Sequence, residues 1–175
     1  MKFQTLNSEQ VYRGRAFDVR RDQLRLPDGQ MAALDIVVHV GAVTILPLDE
    51  HENILFVRQY RHAVGQELLE LPAGTLEPGE PPEVCARREI REETGMAAAQ
   101  LRKIGEFFLA PGYSTEYMYV FLATGLHPDP LPGDSDEFIR VEAVPVADVF
   151  RMIESGEIQD AKSLAALLLG RRWLE

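Results

Sequence analysis

A chain of 175 residues, 46% hydrophobic and 26% charged, is long enough for one main core and lies far from disordered, collagen-like or disulfide-scaffold compositions. Eighteen Lys and Arg against 28 Asp and Glu give a net charge of -10, which excludes a broad electrostatic footprint for nucleic acid or anionic lipid. The single cysteine, Cys85, excludes an intramolecular disulfide, so a cytoplasmic location is expected. The first ten residues, MKFQTLNSEQ, show neither an apolar leader nor a cleavage site. No stretch reaches the roughly 18 apolar residues of a membrane span, and the nearest, 36–48, reads as buried strand.

In chain order, residues 11–40 alternate apolar and polar positions around a tight turn at Pro27-Asp28-Gly29, which predicts an antiparallel hairpin or meander. A second strand pair is expected at 42–48 and 54–60, joined by the polar loop 49–53. Its nearly all-apolar strands predict burial on both faces. Pro81-Pro82 opens a helix where missing amide donors do no harm, and Gly95 supplies a left-handed terminator, so 82–94 is helical. Strands follow at 101–109, 117–124 and 138–144, with the Pro- and acid-rich segment 127–137 as a loop. Two further helices are predicted, 146–155 closed by Gly156, and one capped by Asp160 that runs to Gly170. Strands interleaved with helices give an α/β (α+β) fold, a mixed sheet covered by helices.

On the 82–94 helix, Glu89, Glu92 and Glu93 fall within an arc of about 100°, with Arg87, Arg88 and Arg91 placed on the opposite side. Glu89 and Glu93 form a like-charge i,i+4 pair, which costs about 0.2–0.5 kcal/mol on a bare helix, and they flank the apolar Ala86 and Ile90. Three carboxylates at one helix edge are hard oxygen ligands suited to Mg²⁺ or Mn²⁺. The competing reading is a solvated face, with Arg88 paired to Glu92 and the other acids turned to water. An anionic substrate on so acidic a chain also needs local positive charge, which a divalent cation supplies.

The wider spacing decides between these readings. Gly74, Glu80, Arg88-Glu89-Ile90, Glu92-Glu93 and Gly95-Met96 make nine fixed positions across 23 residues, and the run resembles the Nudix box without a departure. The resemblance implies a Nudix fold, a mixed sheet sandwiched between helices, and hydrolysis that depends on more than one Mg²⁺ or Mn²⁺ ion. The ions would be held by Glu89 and Glu93, helped by Glu92 and the backbone carbonyl of Ala73, with Glu92 and Glu93 also counted among the catalytic residues. Arg88 would orient a carboxylate. Charge neutralisation by metal would be the main catalytic effect.

Beyond the box, Val57-Arg58-Gln59-Tyr60-Arg61, the run Glu67 to Gly74, Pro111, and Gly156 to Lys162 are similar to the ADP-ribose pyrophosphatase group. That similarity implies that Arg61 contacts substrate phosphates or ribose, Glu116 the terminal ribose, and Phe17 the adenine, although a surface arginine, a loop carboxylate and a core phenylalanine are the plainer alternatives. Box glutamates committed to metal are poor proton acceptors, so the general base is expected in the loop 134–137. The resemblance favours Glu137, with Asp134 or Asp136 as alternatives. Residues 1–40 would form an antiparallel sheet that mediates a domain-swapped homodimer, and 41–175 the hydrolase domain. The implied reaction converts ADP-ribose to AMP and ribose 5-phosphate.

One departure bears on substrate choice. Members of the group often carry a basic residue in the strand that reads MAALDIVV here, and Val40 replaces a common proline. GDP-mannose, NADH, FAD or a dinucleoside polyphosphate are therefore rival substrates, and a non-catalytic nucleotide-binding regulatory module is the rival of another class. His39, His51, His62 and His127 show no metal-ligand spacing and read as structural, as does Cys85.

Overall fold

The computed structural model describes residues 2–133 and 137–174. It divides into two compact units, Met1–Gly41 with Phe108–Tyr117, and Ala42–Phe107 with Met118–Glu175.

The first unit is built on a three-stranded antiparallel sheet, β1 (Gln4–Arg13), β2 (Asp18–Arg25) and β3 (Met31–Val38), in that order. The meander begins earlier than the alternation from residue 11 suggests, because β1 is exposed at all ten positions and has no buried face to imprint a period. The turn at Pro27-Asp28-Gly29 closes through Gly29 N–H to the Leu26 carbonyl, with Gly29 at φ 89. Residues 108–117 join this unit through the backbone. Val37 donates to the Tyr113 carbonyl and accepts from Thr115, and the His39 N–H donates to Thr115 Oγ1.

The second unit contains β4 (Ala42–Pro47), β5 (Asn53–Arg61), β6 (Gln66–Glu70), β7 (Ala73–Thr75), α1 (Pro82–Thr94), most of β8 (Met96–Phe108) and β9 (Tyr117–Pro128), then β10 (Ile139–Pro145), α2 (Val146–Glu154) and α3 (Ala161–Gly170). Two sheets result, a mixed one ordered β7-β4-β9-β8 and an antiparallel one ordered β10-β5-β6. The expected pairing of β4 with β5 does not form beyond one bridge, Leu48 to Ile54. Both edges of β4 are taken, by β9 in parallel from Ala42↔Met118 to Pro47↔Ala123 and by β7 antiparallel, so β5 turns away to β10 and β6.

Every residue of β4 is buried. Val43 and Ile45 pack with Cys85, Ala86 and Ile90 of α1, whereas Leu46 packs with Ala166 and Leu167 of α3. The mixed sheet is thus covered by helices on both faces, and each fully buried side chain of this kind contributes about 1.5–3 kcal/mol. Helix α1 starts on Pro81-Pro82 and stops at Gly95, which adopts φ 72 and donates its N–H to the Arg91 carbonyl. Among the described residues no helix is long and apolar enough to cross a membrane.

Candidate active site

The short strand β7 pairs with β4 at the edge of the mixed sheet and packs against α1. Its middle residue, Gly74, faces the carboxylate of Glu89 so closely that a Cβ there would stand 1.8 Å from Glu89 Cδ. One residue earlier, the Ala73 N–H donates to Glu93 Oε2 at 3.0 Å. Helical spacing puts both acids on the face that packs against the strand, and they are only 9% and 8% exposed. Burial raises the Glu89 carboxyl to about 7 and the Glu93 carboxyl to about 8. Arg88 opposes the shift at Glu89 and the Ala73 N–H opposes it at Glu93, while neighbouring acids add to both. Two inward carboxylates against a bare backbone rule out the solvated-face reading for this pair.

Arg88 is not on the side of the helix opposite the acids, where it was expected, because i,i+4 spacing sets it next to Glu92. Its Nη1 donates to Glu89 at 2.6 Å and to Glu92 at 2.8 Å, while Nε and Nη2 reach Glu80 at 3.2 and 3.1 Å. A side chain this long spans the about 40° of arc separating it from Glu92. Arg88 therefore orients carboxylates, and it ties the loop residue Glu80 to the helix. Among the described residues no three acidic, histidine or cysteine side chains converge into a ready cation cage, since Arg88 lies between Glu89 and Glu92. The donor set still suits a hard divalent cation, because it consists of buried carboxylate oxygens short of positive charge.

Arg61, at the end of β5, is held bidentately by Glu70, with Nε and Nη2 each 2.7 Å from a carboxylate oxygen. Lys162 donates to the same carboxylate and to Asp160. Burial alone would raise the Glu70 carboxyl, but Arg61 and Lys162 outweigh it and hold the group below its ordinary value. The charge of Glu93 is felt at Arg61, and that of Lys162 at Glu93. Glu137 is exposed just before β10, and its charge reaches both Glu89 and Glu93. Asp134 and Asp136 lie outside the described residues.

Sequence reasoning missed Glu70, Lys162 and Asp160 as a charged network. The signal was a lone carboxylate inside the apolar run LLELPAG, which demands a partner once the strand is buried. Glu116 and Phe17 belong to the first unit. The Glu116 N–H donates to Ser114 Oγ. Phe17 is 45% exposed and tilted against Tyr12 at 6.4 Å, which removes the core reading. His39 Nδ1 accepts from the Gly41 N–H, and burial pushes the Cys85 thiol up, so it is unreactive.

The model of the NUDIX domain matches residues 38–167, and that of the nucleoside diphosphate sugar hydrolase N-terminal domain matches residues 3–33. The chain belongs to the Nudix family and is a Nudix hydrolase. It is 38% identical to an ADP-ribose pyrophosphatase of Bacillus subtilis (strain 168) over 165 residues, covering 93% of this chain and 89% of that protein. It is 40% identical to an ADP-ribose pyrophosphatase of Mycobacterium tuberculosis (strain ATCC 25618 / H37Rv) over 169 residues, covering 95% and 82%. A crystal structure of an ADP compounds hydrolase superimposes with a TM-score of 0.90 at 29% identity, covering 99% of this chain and 95% of that one.

Proposed function

We propose that the chain hydrolyses the diphosphate of ADP-ribose to AMP and ribose 5-phosphate with the help of Mg²⁺ or Mn²⁺. The observation that carries this reading is the pair Glu89 and Glu93, buried against Gly74 and Ala73 with too little positive charge around them. The names of the two pyrophosphatase relatives supply the substrate.

Glu89 and Glu93, with Glu92 and the Ala73 carbonyl, would hold the metal. A divalent cation bound there supplies charge neutralisation for the diphosphate and makes water more acidic. Arg88 fixes the directions of Glu89 and Glu92, so no side-chain search is needed when substrate arrives. Glu137 takes the proton of the attacking water. It is exposed and within the field of the box acids. Arg61 binds a phosphate oxygen. The roles of Phe17 toward adenine and Glu116 toward the terminal ribose rest on the family resemblance alone.

The β1–β3 sheet is our candidate dimerisation surface. Leu6, Val11, Tyr12, Met31 and Leu34 are all exposed on it in the single chain, as is Phe3 just before β1, and a second copy would cover such residues. A lone buried thiol suits a cytoplasmic protein.

The test is AMP release from ADP-ribose with Mg²⁺, with and without chelator, beside GDP-mannose, NADH and FAD. We expect chelator-sensitive turnover that favours ADP-ribose, and a loss of at least about 100-fold in Glu93→Gln. Much faster turnover of another diphosphate discards the substrate, whereas tight binding without turnover of any of them makes the chain a regulatory module.

A further inference from the structure

Lys162 is the second residue of α3, where the helix dipole disfavours a cation. It is nevertheless 11% exposed and committed to two carboxylates, Glu70 and Asp160. Asp160 is fixed in turn, since it caps α3 by accepting from Ser163 N–H at 3.0 Å and from Ser163 Oγ at 2.6 Å. Ser163 Oγ accepts from the Leu71 N–H at 2.7 Å, two residues before Ala73. The ammonium is therefore anchored to the start of a helix and to the strand link that carries the box glycine.

The network holds two acids and two cations, Glu70 and Asp160 against Arg61 and Lys162. Glu70 is sealed, with a side chain 2% exposed, and needs both cations to offset the loss of water. Arg61 is 40% exposed and spends only Nε and Nη2 on Glu70, so Nη1 carries no hydrogen bond among the described residues. A guanidinium pinned along one edge in a carboxylate fork has its plane fixed and presents its other nitrogen in one direction.

We infer that Glu70 and Lys162 form a clamp that aims Arg61 Nη1 at an oxygen of the substrate diphosphate, which makes Lys162 a positioning residue for the reaction. The inference rests on the diphosphate-hydrolase reading above. Lys162 does not touch substrate; it shares the load on Glu70. Without its ammonium the Glu70 carboxylate loses its second hold, from the start of α3, and can pivot together with the guanidinium it grips, so Nη1 is no longer held in one direction.

The test is a double-mutant cycle in the full chain, reading kcat and KM for ADP-ribose together with thermal melting by circular dichroism. Lys162→Met is expected to raise KM by at least about tenfold with a smaller change in kcat, and Lys162→Arg to restore most of it. In the Arg61→Met background, Lys162→Met is expected to have little further effect on KM, because the group it aims is gone. Lys162→Gln keeps a donor to Glu70 and makes the cycle readable if Lys162→Met does not fold. Additive losses in the two backgrounds, or a lowered melting temperature with unchanged KM, overturn the clamp and leave Lys162 as a helix anchor. A folded wild type that is silent on every diphosphate overturns the clamp together with the reading beneath it.

Discussion

Gly74 shows how one missing methyl organises the site. Its strand is hydrogen-bonded to β4 and cannot retreat, so an added Cβ would occupy the position of the Glu89 carboxylate. We expect Gly74→Ala to lose about 1–3 kcal/mol of stability from overpacking. It should also lower AMP release by more than about 100-fold, because the displaced carboxylate is a proposed metal ligand. Urea melts and Mg²⁺ titration calorimetry would read both effects. Gly112, outside the left-handed region and with open space around its Cβ position, is the control, and Gly112→Ala should do neither. The positions of Gly74, Glu89 and Glu93 could be read from the sequence because chemistry fixes their spacing. The i,i+4 pairing of Arg88 with Glu92 was legible as well, but its reach to Glu80 was not, since Glu80 lies in the loop before α1, outside the helical register.

Among the elements, local signals were the legible ones. Pro82, Gly95 and Asp160 were correctly placed at helix ends because a cap acts within three or four residues of itself. Strand partners were not legible. The β4–β9 pair joins residues more than seventy positions apart, and β6 and β7, with five and three residues, are too short to show a period. The network at the start of α3 provides the element-scale prediction. Asp160→Ala removes the cap acceptor and should cost about 1–2 kcal/mol in urea unfolding, while Asp160→Asn keeps an acceptor and should cost less. Ser163→Ala leaves the buried Leu71 N–H without its partner and should cost about 1–3 kcal/mol. If all three variants melted like the wild type, α3 would not be tied to the box strand as described.

For the whole molecule, a chain of net charge -10 that buries Glu89 and Glu93 side by side must be least comfortable when both are ionised. Glu89 and Glu93 titrate near 7 and 8 in the fold, raised by burial above an ordinary value of 4.5. The fold therefore binds protons more tightly than the unfolded chain at these sites. The destabilisation is full above about pH 8, shrinks as pH falls through 8 and 7, and is gone near 4.5. Glu70 has the opposite sign. Its carboxyl is held below 4.5, so its contribution is complete above that pH and is lost as pH falls through the lower folded value. In chelator, the melting temperature should rise from about pH 8.5 to about pH 5.5 and fall again below about 4.5. Mg²⁺ needs the deprotonated ligands and replaces the missing positive charge, so the rise in melting temperature that it causes should be larger at about pH 8 than at about pH 6. Glu93→Gln should flatten the alkaline slope and shrink the Mg²⁺ effect together. A melting temperature in chelator that does not change between about pH 6 and 8 would mean that the two carboxylates are solvated, and the proposed metal site would lose its driving force.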